Sequence, residues 1–358
     1  MALDKISLEN FRNHAASELF ETAKFNLLVG ENGAGKTNVL EALSLLSPGR
    51  GIRRAAIGDL ARQGGSGGFA IGASLIEQSQ VSARIGTYVD PDQPRRRLVR
   101  INSAEASASS LSEWLAISWL TPTMDGLFMD SAGARRRFID RMTLAVEPSH
   151  AKSVSQLETA LRERNRLLEE RGDARWLDAI EAQAAQHGST VAANRIGLIE
   201  ALSVELSALP AQPFAKPVLT YRPGGPLEPQ KLCDELGRQR TRDKAAGRAL
   251  TGPHRDELDV VMAGSGQAAA VCSTGEQKAM LIAITLAHGV LAAEGRPSVL
   301  LLDEVAAHLD PVRRAALFER LDQGRAQVWM TGTELSPFDK ISGEAAVWRV
   351  SSGSLRRL

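Results

Sequence analysis

At 358 residues with 43% apolar side chains, the chain is long enough for one large domain, or a domain plus an insertion, around a sizeable core. No segment approaches the roughly eighteen uninterrupted apolar residues of a membrane span, and Met1-Ala2-Leu3-Asp4-Lys5-Ile6 lacks the basic end and apolar run of a secretory signal, so a cytoplasmic protein with no membrane partner is expected. Lysine plus arginine total 43 against 42 for aspartate plus glutamate, so global basicity does not announce nucleic acid.

In chain order, residues 5–8 and 25–29 read as short strands, the second feeding a glycine-rich loop. Val39, Leu40, Leu43 and Leu46 recur at helical spacing after that loop, and Pro48-Gly49 ends the helix. Residues 69–77, 81–90 and 96–102 look like an antiparallel set joined by polar turns, with a further strand at 116–120. From about 131 to 209 the chain turns to Ala-, Arg- and Glu-rich helix. Leu157, Leu161 and Leu168 form one apolar stripe there, and Leu177, Ile180, Ala184, Val191, Leu198 and Leu202 a second. Gly172-Asp173 is a natural tip between them, predicting an antiparallel helical hairpin. Prolines from Pro210 to Pro229 punctuate the exit, and 227–250 reads as helix again. Strand signals return at 257–263 and 268–271, a helix at 274–293, and buried parallel strands at 299–302 and 325–330.

The chemistry sits at the junctions of these elements. Gly30-Glu31-Asn32-Gly33-Ala34-Gly35-Lys36-Thr37 is a complete G-x-x-x-x-G-K-[ST] phosphate loop. Its glycines let backbone N–H groups wrap phosphate oxygens at the start of a helix. Lys36 supplies a point charge to the β- and γ-phosphates, and Thr37 a hydroxyl to Mg²⁺. Asp303 ends a buried apolar strand, a costly place for a carboxylate without a cation, which makes it the second metal candidate. Glu304 follows as the candidate general base for the attacking water. Lys36, Asp303 and Glu304 are thus the candidate catalytic set, with ATP and Mg²⁺ as cofactors.

Arginine runs occur at Arg95-Arg96-Arg97 with Arg100, at Arg135-Arg136-Arg137, and in the series Arg238, Arg240, Arg242, Lys244, Arg248. A single run reads as a solvated face, while runs converging on one face could contact phosphates. Cys233 and Cys272 have no metal-ligand spacing and read as small buried residues.

Ser273-Thr274-Gly275-Glu276-Gln277 resembles the signature of ATP-binding-cassette (ABC) ATPases. The opening Ile6-Ser7-Leu8-Glu9-Asn10-Phe11-Arg12-Asn13-His14, the phosphate loop, Gly252-Pro253-His254-Arg255-Asp256, the Ser273–Lys278 stretch and Leu309-Asp310-Pro311-Val312-Arg313-Arg314 together resemble the RecF family, which is related to the head domains of SMC ATPases. The resemblance spans nearly the whole chain. It implies an α/β fold, an ABC-type ATPase head with a mixed sheet and phosphate-loop helix, carrying an inserted α-helical domain. The expected division is 1–125 for the N-terminal lobe, 126–248 for the insertion and 249–358 for the C-terminal lobe.

The resemblance also implies a slow ATPase that dimerises with ATP on duplex DNA near gaps or single-/double-strand junctions, helping RecO and RecR load RecA. Arg12 and Asn13 would lie near the nucleotide, Ser273 and Gly275 would meet the γ-phosphate of a second copy, with Gln277 of the same signature also among the cofactor-binding residues, and Asp310 would sit in a loop crossing the dimer interface. Two departures stand out. Thr121-Pro122-Thr123-Met124-Asp125 replaces the Ser-Pro-Glu-Asp stretch common in relatives. Thr331-Gly332-Thr333-Glu334 stands where transport-type ATPases carry a histidine, leaving a threonine hydroxyl as a possible γ-phosphate contact. An ABC transporter ATPase subunit and a non-hydrolysing scaffold are the competing readings. The missing histidine, the helical insertion and the N-terminal segment weigh against the first; intact Lys36, Asp303 and Glu304 weigh against the second. Gly252–Asp256 has no assigned chemistry beyond a turn with an Arg–Asp pair.

Overall fold

Alternating burial marks the first two strands, β1 (Leu3–Phe11) and β2 (His14–Leu19), whereas β3 (Phe25–Val29) is buried along its length. The two patterns separate a sheet that faces solvent on one side from one covered on both. The computed structural model describes residues 2–77, 80–170, 172–210, 212–306 and 309–358, and places them in two compact units. The first unit contains Met1–Asp125, Gln212–Phe214 and Ile284–Leu358; the second contains Gly126–Ala211 and Ala215–Ala283.

After β3 the chain enters α1 (Lys36–Ser44), then β4 (Phe69–Glu77), β5 (Gln80–Val89), β6 (Arg97–Ile101) and β7 (Ala104–Ala106). A short α2 (Leu111–Trp114) leads to β8 (Ala116–Leu120). The helical region supplies α3 (Ala132–Val146), α4 (His150–Glu170), α5 (Ala174–Ala208), β9 (Pro217–Arg222), α6 (Pro229–Arg238), α7 (Arg240–Ala246), β10 (Glu257–Met262) and α8 (Thr274–Ala292). The chain closes with β11 (Ser298–Leu302), α9 (Pro311–Gln323), β12 (Gln327–Gly332), β13 (Ala346–Ser351) and β14 (Ser354–Arg357).

The first unit holds an antiparallel sheet in the order β2-β1-β4-β5-β6-β7 and a mixed sheet in the order β14-β13-β3-β12-β11-β8. In the mixed sheet every pair from β13 to β8 is parallel, and only β14 runs antiparallel. Register decides what happens at its edge. Val29 pairs with Gly332, Met330 with Leu302, and Leu302 with Leu120. The residues following β3, β11 and β12 therefore emerge side by side at the carboxyl ends of parallel strands, where open α/β sheets gather ligand contacts.

In the second unit, α4 and α5 form the expected hairpin. Asp173 caps α5 by accepting from the N–H groups of Arg175 and Trp176. Leu157, Ala160, Ala184, Val191, Leu232 and Leu236 belong to its core. Beside them Arg164 is fully buried, donating to Glu181 at 2.9 Å, Asp243 at 2.8 Å and the Leu236 carbonyl at 2.7 Å.

Several expectations change. The 131–209 helix is three helices, and the 227–250 helix breaks at Gln239 into α6 and α7. Residues 268–271 contribute one bridge, Val261 to Ala268, followed by a 3-10 turn rather than a strand. Strand β9 lies in the proline-punctuated stretch that read as a connector. Its pairing with β10 places residues 249–283 in the second unit, whereas the sequence division put them in the C-terminal lobe. Asp256 does not pair with Arg255. It accepts from Arg195 and from the Gly224 N–H, each at 2.7 Å, and from the Tyr221 hydroxyl. Both cysteines are free, Cys272 buried and Cys233 half-buried.

Candidate nucleotide site

The phosphate loop leaves β3 with the Gly30 N–H bonded to the Gly332 carbonyl at 3.2 Å. Gly35 is the N-cap of α1 at φ 116°, a conformation open to glycine, and a Cβ there would lie 2.7 Å from the Asn13 amide. Lys36 is buried and folds back to donate to the carbonyls of Gly30 at 2.6 Å and Glu31 at 2.9 Å. The ammonium therefore already sits inside the curl of the loop.

Across the sheet, Thr37 Oγ1 lies 3.0 Å from Asp303 Oδ1 and 3.2 Å from Oδ2. Asp303 is buried, and its N–H extends the β11–β8 ladder by bonding the Leu120 carbonyl at 2.9 Å. The bonds to its carboxylate come from the Thr37 and Thr331 hydroxyls, and no cation among the described residues neutralises it. A buried carboxylate beside a hydroxyl, without a cation, is a hard-oxygen set that suits Mg²⁺. Glu304 follows at φ 54°, in the left-handed region that non-glycine residues rarely occupy. Its N–H donates to Thr331 Oγ1 at 2.8 Å, and that hydroxyl donates to Asp303 Oδ1 at 2.8 Å. Thr331 is thus occupied by the carboxylate pair, and it is Thr333, exposed on the loop beyond β12, that faces open space.

Two clefts flank the loop. One of about 230 Å³ is lined by Asn32, Gly33, Gly35, Lys36, Thr37, Asn38 and Glu304. The other, about 740 Å³, lies between the loop residues Val29 to Ala34 and the segments Thr333–Leu335 and Arg349–Ser352. Arg349 and Ser351 belong to β13, whose place beside β3 was not legible in sequence.

The early pair divides in role. Asn13 donates to the Ala34 carbonyl at 3.0 Å and accepts from Asn38 at 2.7 Å, so it touches the loop. Arg12 instead forms a bidentate pair with buried Glu41 of α1, both bonds 2.8 Å, and braces the side of the helix. His14, missed in sequence, is fully buried with Nε2 3.3 Å from the Gly35 carbonyl and Nδ1 3.0 Å from Ser17 Oγ. Burial lowers its pKa below the ordinary histidine value, against the opposing bonds to the Gly35 and Gly353 carbonyls. Arg97 was also missed as a brace. It donates to the carbonyls of Leu45, Ser47 at 3.1 Å and Gly49 at 2.6 Å, just past the carboxyl end of α1. A cation is favoured there, and although burial lowers Arg97 to about 10, it stays charged at neutral pH.

The signature segment lies in the second unit. The Ser273 N–H and hydroxyl donate to the Glu276 carboxylate at 2.8 and 2.7 Å, and the Glu276 N–H donates to Ser273 Oγ at 3.4 Å, a capping box at the start of α8. Ser273, Thr274 and Gly275 are exposed. Gln277 is buried, donates to the Cys272 carbonyl at 2.9 Å and leaves its Oε1 without a partner. Asp310 caps α9 by accepting from the Val312 and Arg313 N–H groups, both at 3.0 Å, and these bonds hold its carboxyl below the usual range. His308, in the same loop, lies outside the described residues. The Thr121–Asp125 stretch forms a 3-10 turn in which the Thr121 and Thr123 hydroxyls bond each other at 2.9 Å.

A phosphate loop on a mixed sheet, a carboxylate pair at the carboxyl end of another strand of that sheet and an inserted helical unit define an ABC-type ATPase head of the SMC kind. Residues 2–351 match the family described as RecF/RecN/SMC N terminal domain. The chain is 46% identical over 370 residues to the DNA replication and repair protein RecF of Brucella suis biovar 1, covering 99% of this chain and 96% of the relative. It is 44% identical to the RecF of Mesorhizobium japonicum, over 99% and 97% of the two chains. The chain belongs to the RecF family. Its fold is similar to a solved structure of the recombination mediator protein RecF-ATP in the RecFOR pathway, with TM-score 0.87 at 22% identity over 100% of this chain and 97% of that one. It is also similar to an Smc head domain from Pyrococcus furiosus, with TM-score 0.55 at 17% identity over 100% and 96%. No described helix is long and apolar enough to cross a membrane.

Proposed function

We propose that this chain is a slow, Mg²⁺-dependent ATPase of DNA repair and replication in the cytoplasm. ATP draws two copies together on duplex DNA near gaps or single-/double-strand junctions, where they help RecR and RecO load RecA, and hydrolysis releases the pair. The observation that carries the nucleotide reading is the contact of Thr37, at the start of α1, with Asp303, just past the end of β11, beside Lys36.

In this reading the loop from Gly30 to Thr37 binds the phosphates, with Lys36 leaving its carbonyl partners for the β- and γ-oxygens. Thr37 and Asp303 would hold Mg²⁺, which when bound neutralises phosphate charge. Asn13 keeps the loop in shape through Ala34 and Asn38. Glu304 orients the attacking water, and its placement is set by the backbone turn that Thr331 holds. The larger cleft, with Arg349 and Ser351, is the side for the nucleoside. The exposed signature, Ser273 to Gly275 with Gln277 behind it, offers a γ-phosphate receptor to a second copy, and Asp310 contributes to the same interface. The opposing outcome is an ATPase with no DNA partner.

The test is duplex-DNA binding by Glu304→Gln with ATP–Mg²⁺ and with ADP, with molecular mass followed in parallel. Binding that requires ATP and tracks the mass of a dimer is expected. An ATP dimer that ignores DNA would refute the DNA assignment while leaving the nucleotide site standing.

A further inference from the structure

Resting on the DNA-binding reading, we infer that Arg136, Arg137 and Arg255 form a notch in the second unit that holds phosphates of the duplex backbone. Two neighbouring arginines are already engaged. Of the run at the start of α3, Arg135 is committed to Glu257, with bonds of 2.7 and 2.9 Å. Arg195, the buried cation behind the run, is taken up by Asp140 and Asp256. Those pairs use Glu257, Asp140 and Asp256; Asp259 is paired with Arg222, and Asp130 stays exposed on the rim, where the Ser131 N–H, Arg137 and Arg135 favour its charge.

What is left is positive. Arg136 makes one bond, from Nη1 to the Asp256 carbonyl at 2.7 Å, and forms no ion pair among the described residues. Arg137 and Arg255 are exposed and likewise form no ion pair among the described residues. The guanidinium groups of Arg136 and Arg137 converge above Gly133. A Cβ placed there would lie 3.2 Å from Arg137 Nη1 and 3.7 Å from Arg136 Nη2. The third comes from the Gly252–Asp256 motif, whose geometry is built to present it. Asp256 is anchored inward by Arg195, Tyr221 and the Gly224 N–H, Arg195 also grips the Pro253 carbonyl at 2.7 Å, and the turn leaves Arg255 pointing outward. A bond to the Asp256 carbonyl sets Arg136 against the turn that carries Arg255; burial first, then repulsion from Arg195 and to a lesser extent Arg255, lowers the pKa of Arg136 against the opposing pull of Glu257 and Asp256. Guanidinium groups gathered on one face without ion-pair partners among the described residues match a polyanion that supplies several phosphate oxygens at fixed spacing. The motif without assigned chemistry thereby acquires a purpose: its buried aspartate fixes the turn and its arginine meets the ligand.

The test compares the intact chain with Arg137→Ala, Arg255→Ala and the double variant. It measures duplex-DNA affinity across a salt series with ATP–Mg²⁺, alongside binding of a fluorescent ATP analogue. Each lost phosphate contact should reduce the slope of log affinity against log salt by about 0.9, and the double variant by about twice that, with nucleotide binding unchanged. Arg255→Lys should keep the slope, which separates a charge contact from damage to the turn. Unchanged slopes in variants whose parent binds DNA would overturn the notch alone. Loss of nucleotide binding together with DNA binding would also overturn it, assigning the arginines to the triphosphate. A parent that binds no DNA would overturn the underlying reading and the notch with it.

Discussion

Thr331 donates to Asp303 at 2.8 Å while its own oxygen receives the N–H of the next carboxylate residue, Glu304, at the same distance. One hydroxyl thus fixes a proposed metal carboxylate and the backbone turn that aims a proposed base. Thr331→Val keeps the shape and removes both bonds. Supporting contacts of this kind are commonly worth about 10–100-fold in activity or metal affinity. Thr331→Val is expected to lower ATP turnover by that order and raise the Mg²⁺ requirement for nucleotide binding, with Thr331→Ser restoring both. Equal turnover and equal Mg²⁺ titration in the two variants would remove Thr331 from the machinery.

Lys36 lies inside the loop, bonded to the Gly30 and Glu31 carbonyls. A planar guanidinium cannot occupy that curl as a compact point charge. Lys36→Arg should therefore depress hydrolysis at least tenfold, a rise of about 1.4 kcal/mol in the barrier, measured by steady-state phosphate release. Parent-level turnover would refute the phosphate-loop assignment.

The buried His14 supports the loop from behind, and its folded pKa lies below the ordinary value chiefly because burial disfavours its charge. The unfolded chain consequently binds a proton before the folded one does as pH falls. Folding stability from this group is full above the unfolded pKa near 6.5 and falls below it, by at most about 1.4 kcal/mol per pH unit, until the folded pKa is passed. Denaturant titrations of the parent and His14→Gln between pH 7.5 and about 5.5 should show a steeper acid loss in the parent. Parallel curves would contradict this.

Arg164 stands fully buried between Glu181 and Asp243. Replacing it by methionine leaves two carboxylates without their shared cation. Removing one partner of a buried pair typically costs about 3–5 kcal/mol. Chemical denaturation of Arg164→Met should show a loss of that order, with ATP binding retained under native conditions. A loss below about 1 kcal/mol would mean that Arg240, which also reaches Glu181, carries the charge balance instead.

Ser273→Arg places a long cation on the exposed signature turn. It should block ATP-dependent dimerisation and spare nucleotide binding, read by light scattering and by equilibrium binding of a fluorescent analogue. A dimer forming unchanged would refute a role for Ser273 between copies.

The sequence by itself determined the phosphate loop, the carboxylate pair, the family and the hairpin, because each is written in contiguous residues: Gly30 to Thr37, Asp303-Glu304, the stripes on α4 and α5. It could not place β9, β13 or β14, whose short runs lack a distinctive period and become strands only when a neighbour supplies the other half of the hydrogen-bond ladder. It also left the arginine runs equivalent. Tertiary structure separated them, packing Arg97 against the end of α1, pairing Arg135 with Glu257 and Arg240 with Asp178, and leaving Arg137 without an ion pair among the described residues. The physical reason is that charge is read off one residue at a time, whereas neutralisation depends on what another stretch of chain brings within a few ångströms. Thr331 shows the same limit: its hydroxyl was visible in sequence, but only the register of β11 against β12 put Asp303 and Glu304 beside it.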